Sequence, residues 1–266
     1  MIHPTAIIDS TARLGANVRV GAYALVEAGA EIGDGCEIQA HAVIGGYVRM
    51  GRENLIGNGA IIGGDPQDFS FSSSIKSEVR IGDRNKIREY CTIHRGSKDG
   101  GVTSVGDECF LMGGVHLAHD VKIGNHVVIA NNSLLAGYVQ VEDRVFIGGG
   151  CVFHQFVRVG RLSICQGISG YGKDLPPYVI GAEINGIAGL NVIGLRRAGF
   201  TGDERKEVKD AFSLLFRSGL NVSQALEEAG KRIWGEKTQP FWDFVASAKK
   251  RGLCALLRTN TQENDE

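Results

Sequence analysis

The sequence predicts an all-β parallel solenoid built on a six-residue repeat, followed by a small α-helical C-terminal domain. Three observations carry this expectation. An aliphatic residue returns every sixth position from Ile2, Ile8, Leu14 and Val20 to Ile62, resumes at Ile81, Ile87 and Ile93, and runs again from Val105 to Cys165. The fourth position after the aliphatic is small in most units, as at Ala6, Ala24, Cys36, Ala60 and Cys151. From about Arg196 the period vanishes and helix signals replace it.

A fixed short period lets each repeat cover its neighbour, so the core runs unbroken along the stack. A chain of 266 residues with 43% hydrophobic content is large enough to bury such a core. Glycine is abundant at 38 residues and proline scarce at 5, which suits repeated tight corners. The net charge of -1 gives no reason to expect nucleic acid or a membrane surface as partner. The N-terminus "MIHPTAIIDS" lacks the basic start and apolar run of a signal peptide, and no apolar stretch approaches the roughly 20 residues of a spanning helix. A cytoplasmic protein without membrane insertion is therefore expected.

An inward aliphatic with a small corner residue resembles the hexapeptide repeat of the left-handed parallel β-helix. That resemblance supplies the hand, which is an exception to the usual right-handed crossover. Three hexapeptides make a coil, and about eight coils at ~4.8 Å each give a prism roughly 40 Å tall. The breaks in the period predict loops at about 63–80 and 94–104, with the solenoid over 1–190 and the helical domain over 191–266. Cys36, Cys91, Cys109, Cys151 and Cys165 fall on inward positions without any CxxC pair, and read as packing thiols.

In "TGDERKEVKDAFSLLFRSG", Thr201 is a cap, acidic residues fill the first turn, Val208, Ala211, Phe212 and Leu215 share a face, and Gly219 is a stop. Helices over Val222 to Trp234 and Gln239 to Arg251 are expected to follow, then a frayed polar tail "RTNTQENDE". This domain is expected to cover the open strand edge of the last coil.

Dealing the aliphatics in turn to faces A, B and C, with Ile2 on A, puts Val26, Ile44, Ile62, Ile93, Leu117, Leu135 and Phe153 on face B. Both loops then leave from the corner that follows this face. The same corner gathers His94, Ala118, Ala136 and His154 in one column, His119, Gly137 and Gln155 in the next, and Asp120 and Tyr138 in a third. The outward column before each B aliphatic reads Leu25, Val43, Ile61, Thr92, His116, Leu134 and Val152. An apolar outer stripe marks an interface, so a site at this corner is expected between subunits. His3, His41 and His126 read as solvated. His116, His119 and His154 are expected to converge; zinc is the alternative, but H-x-x-H differs from the H-x4-H of hexapeptide carbonic anhydrases, and no metal is expected.

The stretches "VHLAHDVKIGNHVVIANNSLLAGYV", "GDRNKIREYCTIHRG", "VFHQF", "DLPPYVIG", "NVIGLRRAGF" and "RGL" resemble the UDP-N-acetylglucosamine 3-O-acyltransferases of lipid A biosynthesis, over almost the whole chain. The resemblance implies a homotrimer that needs no cofactor. It transfers a fatty acyl group, usually 3-hydroxylated, from acyl carrier protein to the glucosamine 3-hydroxyl of a UDP-sugar. It makes His119 the general base, Asp120 its orienting acid and Gly137 the backbone oxyanion donor, whose missing side chain would let the thioester carbonyl approach. It assigns Asp68, His94, His116, His154, Gln155, Asn191 and Arg197 to the nucleotide sugar, and Gly167 to acyl length. The basic residues Arg196, Arg197, Arg205, Lys206 and Lys209, with Arg158 and Arg161, are candidates for docking the acidic carrier protein.

Four positions depart from the family pattern: Tyr138 where histidine is common, Ser70 for a lysine, Ala198 for an arginine and Ile193 for an acid. All four, Tyr138 foremost, are expected around the sugar-nucleotide pocket. They keep open a paralogue acting on another acceptor, such as a 3-amino UDP-sugar. A non-catalytic hexapeptide scaffold is the alternative of a different class.

Overall fold

The computed structural model describes residues 1–248 and 251–257. Two-residue strands such as Leu25–Val26 and Val43–Ile44 repeat along the solenoid, the second residue pointing inward and buried. Every third strand pairs in parallel with the last, giving three sheets of nine, eight and eleven strands. These are the faces of a left-handed parallel β-helix.

Register follows the six-residue period. Val26 pairs with Ile44, Ile44 with Ile62, Ile62 with Ile93, Ile93 with Leu117, Leu117 with Leu135, and Leu135 with Phe153. A slip of one residue would turn the whole inward column to solvent, so burial fixes the register. The period survives both loops because each leaves after a face B strand, Ile61–Gly64 or Thr92–His94, and returns as a face C strand, Glu78–Ile81 or Val102–Val105.

Most corners are made by a third residue in the left-handed backbone region, including non-glycine residues such as Asp120 at φ 61° and Tyr138 at φ 63°. This conformation costs an L-residue about 1–2 kcal/mol. Coil-to-coil bonds offset it, as where the Tyr138 N–H donates to the His119 carbonyl at 3.1 Å. The six cysteines are free and buried, and burial pushes the Cys91 and Cys109 thiols up to about 11.

Strands, not helices, close the open edge of the eleven-stranded sheet. Gly186–Leu190 turns back antiparallel on Val179–Ala182, and Ala255–Leu256 adds in parallel outside it. Sequence periodicity did not signal either strand. Four helices intervene: α1 (Val192–Arg197), α2 (Gly202–Phe216), α3 (Val222–Ala229) and α4 (Gln239–Ala246). Thr201 and Glu204 form a capping box on α2, whose buried face is Val208, Ala211, Phe212 and Leu215. Helix α3 stops before Trp234, which folds back so that its Nε1 donates to the Ala229 carbonyl at 2.9 Å. Helix α4 ends at Ala246, short of Arg251. The expected frayed tail lies outside the described residues.

Arg158 joins the two parts. Its guanidinium pairs with buried Asp174 at 2.9 Å, donates to Ser247 Oγ and the Phe244 carbonyl, and stacks over the Phe244 ring. That use removes it from the set of free cations expected to meet a carrier protein.

Candidate active site

The two loops are locked to each other at the corner after face B. Arg95, buried, donates to Asp65 Oδ1 at 2.8 Å and to the Ser73 and Ile75 carbonyls, and lies between the Tyr47 and Phe71 rings. The Lys76 N–H donates to Asp99 Oδ1 at 2.8 Å, and Ser77 Oγ donates to the Gly96 carbonyl. A buried guanidinium needs this full set of acceptors, and the set pins the first loop over the corner.

Beneath the loops His119 and Asp120 are buried. His119 Nδ1 lies 2.9 Å from Asp120 Oδ2. A carboxylate oxygen only accepts, so Nδ1 is the donor, and in the neutral ring the lone pair is on Nε2. The left-handed turn at Asp120 lets its side chain reach back to the residue before it. Asp120 Oδ2 also accepts from the Ser97 N–H at 2.9 Å and Ser97 Oγ at 2.7 Å, while the Asp120 N–H donates to Thr103 Oγ1 at 2.7 Å. Ser97 and Thr103 belong to the second loop and its return strand, a stretch without periodicity, and sequence reasoning missed them along with Arg95.

The His119 ring lines a cleft of about 300 Å³ together with Gln67, His94, His116, Gly137 and Gln155. The His94 and His116 rings meet edge-on with centroids 5.1 Å apart. His94 Nδ1 is bonded to the Asp65 carbonyl, and His116 Nδ1 lies 2.7 Å from Thr92 Oγ1. Burial holds both imidazoles below the usual histidine value; at His116 the neighbouring His94 adds to the effect. Gln67, from the first loop, is a further lining residue that no motif revealed.

Several expectations change here. A Cβ on Gly137 would stand 2.5 Å from His119 Cε1 and 2.7 Å from Nε2, so the missing side chain makes room for the imidazole. Tyr138 does not line the cleft. Its hydroxyl is 2.9 Å from Ser97 Oγ, its ring is edge-on to His119 at 5.2 Å and stacks on Phe156 at 4.7 Å. His154 also stands apart from the other histidines, exposed, with Nδ1 accepting from Arg251 at 2.8 Å.

Asp68 sits on the exposed first loop, where the Ser70 N–H and hydroxyl hold its carboxyl below the ordinary range. Ser70 is thus a partner of Asp68. Gly167 lies at the corner before face B, beside Gly149. Asn191 is buried as the cap of α1, accepting from the Gly194 N–H and donating to the Leu162 carbonyl. Arg197 is exposed at the end of α1. None of Gly167, Asn191 and Arg197 lines the cleft around His119. Among the described residues, no three His, Cys, Asp or Glu side chains are grouped as metal ligands.

Residues 11–46 and 103–137 match the bacterial transferase hexapeptide family, and residues 174–254 match the UDP N-acetylglucosamine O-acyltransferase domain 2 family. Over nearly its full length the chain is similar to the UDP-N-acetylglucosamine acyltransferase of Francisella novicida, at 34% identity with 97% of this chain and 95% of that one covered and a TM-score of 0.92. The chain belongs to the UDP-N-acetylglucosamine O-acyltransferase family. The enzyme from Moraxella catarrhalis is similar at 39% identity, covering 95% of this chain and 99% of that one, with a TM-score of 0.90. The Arabidopsis UDP-N-acetylglucosamine acyltransferase is similar at 31%, covering 96% and 100%, with a TM-score of 0.81. This member of the family is an acyltransferase, and among its described residues no helix is long and apolar enough to cross a membrane.

Proposed function

We propose that the chain transfers a 3-hydroxylated fatty acyl group from acyl carrier protein to the 3-hydroxyl of UDP-N-acetylglucosamine, as a homotrimer, at the start of lipid A biosynthesis. The observation that carries this reading is the buried His119–Asp120 pair, which leaves the imidazole's second nitrogen toward a cleft lined by neutral-favouring histidines. A sugar hydroxyl is a poor nucleophile at neutral pH. Nε2 of His119 takes its proton as the oxygen attacks the thioester carbonyl, an effect worth about 10²- to 10⁴-fold. Asp120 stabilises the imidazolium. The tetrahedral intermediate collapses by expelling the carrier thiolate, which recovers the proton from Nε2.

Gly137 is the candidate oxyanion donor. Among the described residues its N–H meets no backbone carbonyl, and it lies against the base. His94, His116, Gln155 and Gln67 offer neutral donors and acceptors to the sugar and its phosphates, with Asp68 on the loop above. The separation of Gly167, Asn191 and Arg197 from this cleft, and the apolar column through exposed Ile61, Leu134 and Val152, support a site completed by a second copy. Exposed Arg196, Arg197, Lys206 and Lys209 and half-buried Arg161 and Arg205, without Arg158, are the cations left for an acidic carrier protein.

An acyl-transfer assay tests the reading by offering 3-hydroxyacyl carrier protein with either UDP-N-acetylglucosamine or its 3-amino analogue. Turnover of the first is expected. Turnover of the amine alone would favour the paralogue, for which Ser70, Ala198 and Ile193 remain the reasons.

A further inference from the structure

We infer that Ser97 and Tyr138 form a hydroxyl relay that positions Asp120, and through it the His119 base, so that Tyr138 acts behind the base and not on the substrate. This rests on the acyl-transfer reading above. The direction of the relay follows from proton counting. Asp120 Oδ2 receives His119 Nδ1–H, Ser97 N–H and the Ser97 hydroxyl, at 2.9, 2.9 and 2.7 Å. A serine hydroxyl has one proton, and the carboxylate oxygen can only accept it. The 2.9 Å contact between Ser97 and Tyr138 must then run from the tyrosine hydroxyl to the Ser97 oxygen. The series is Tyr138 to Ser97 to Asp120, with every proton pointing at the carboxylate that holds the base.

The surroundings make the relay stiff. Tyr138 stacks on Phe156 at an interplanar angle of 8° and stands edge-on to His119 at 86°, so its ring has a fixed place. The Asp120 N–H is tied to Thr103, and Gly101 has no side chain where a Cβ would come 2.9 Å from Asp120 Oδ1. Donors on Asp120 spread its negative charge and so temper the basicity it confers on His119. Removing one leaves the carboxylate a stronger partner for the imidazolium, and the base keeps its proton to a higher pH. The other titratable groups that reach His119 are Asp68 and His94, with His116 beside His94; the relay does not touch them.

Tyr138→Phe removes the hydroxyl and keeps both ring contacts. With UDP-N-acetylglucosamine as acceptor it is expected to lower kcat about 3- to 10-fold at unchanged KM, and to move the acid limb of kcat/KM upward by about half a pH unit. Ser97→Ala is expected to cost about 30-fold in kcat, and Ser97→Thr to restore most of it. Because Tyr138 acts through Ser97, the double variant should equal Ser97→Ala. A rise in KM at unchanged kcat would make Tyr138 a substrate-binding residue and overturn the relay. Additive losses in the double variant, or a Tyr138→Phe enzyme with an unmoved pH profile, would overturn it too. The ¹H–¹⁵N resonance of His119 Nδ1 in substrate-free protein separates the two readings. If UDP-N-acetylglucosamine is not turned over, a shift of that resonance in Tyr138→Phe still supports the relay, and no shift rejects it.

Discussion

The corner after face B occurs in every coil, and its first and middle versions differ sharply. In the first coil Asp9, Ser10 and Thr11 are exposed, and the Asp9 carboxylate is held by Thr11, two residues on, whose N–H and hydroxyl donate at 2.8 and 2.7 Å. In the middle coils the corresponding corner carries His119 and Asp120, buried, with Asp120 held by residues 17 and 23 positions away. The corner position is common along the face, and Gly29 of the second coil, at φ 79°, occupies the same place in it as Asp120 at φ 61°. What makes a site is the pair of loops that cover this corner and remove water from it. The solenoid supplies spacing, and the loops supply burial and second partners.

The comparison breaks first at the base. His119→Ala is expected to lower kcat by about 10²- to 10⁴-fold with the circular dichroism spectrum unchanged. An intact rate would leave the buried corner no different in kind from the exposed one, and would take the role of base away from His119.

Two glycines of this corner sharpen it next. Gly137→Ala drives a Cβ into the His119 ring, and a fall in kcat of about 10²-fold is expected as the base is displaced. A Cβ on Gly29 would meet the Gly46 carbonyl oxygen at 3.4 Å, an ordinary contact, but the backbone is left-handed, so Gly29→Ala should cost about 1–2 kcal/mol of stability and leave kcat alone. Thermal unfolding and steady-state kinetics on both variants separate the two costs.

The loop clamp comes third. Arg95→Met removes the donors to Asp65, Ser73 and Ile75, and KM for the UDP-sugar should rise about 10-fold with earlier proteolysis between residues 65 and 77. Equal cleavage in wild type and variant would show that the loop does not depend on Arg95.

The smallest expected effect is on pH. Burial lowers the pKa of His94 and His116, so the folded state binds fewer protons than the unfolded chain as pH falls below the ordinary histidine value. Their contribution is present above that value and is lost as pH falls through the lowered folded values. The urea midpoint should therefore drop across this window, and less steeply in a His94→Gln, His116→Gln variant.

Much of this was written in the amino-acid order. The inward column from Val26 to Phe153, the return of both loops to face C, and the outward column of Leu25, Val43, Ile61, Thr92, His116, Leu134 and Val152 all follow from a period of six, because burial of one aliphatic per rung leaves a single register. Helix α2 was equally legible, since its cap and buried face lie within one short segment. The adjacency of His119 and Asp120 was local too.

Tertiary structure alone decided the rest. Helix α1 spans 192–197, too short to show a period, and the closing strands Gly186–Leu190 and Ala255–Leu256 pair across a whole helical segment. Arg95, Ser97 and Thr103 acquire their partners from loops whose path no repeat encodes. Tyr138 and His154 share the corner in sequence, yet one turns behind the base and the other toward Arg251. A periodic sequence fixes where each Cβ starts, because every rung repeats the same backbone; where a polar side chain ends depends on which distant donor or acceptor satisfies it once water is gone.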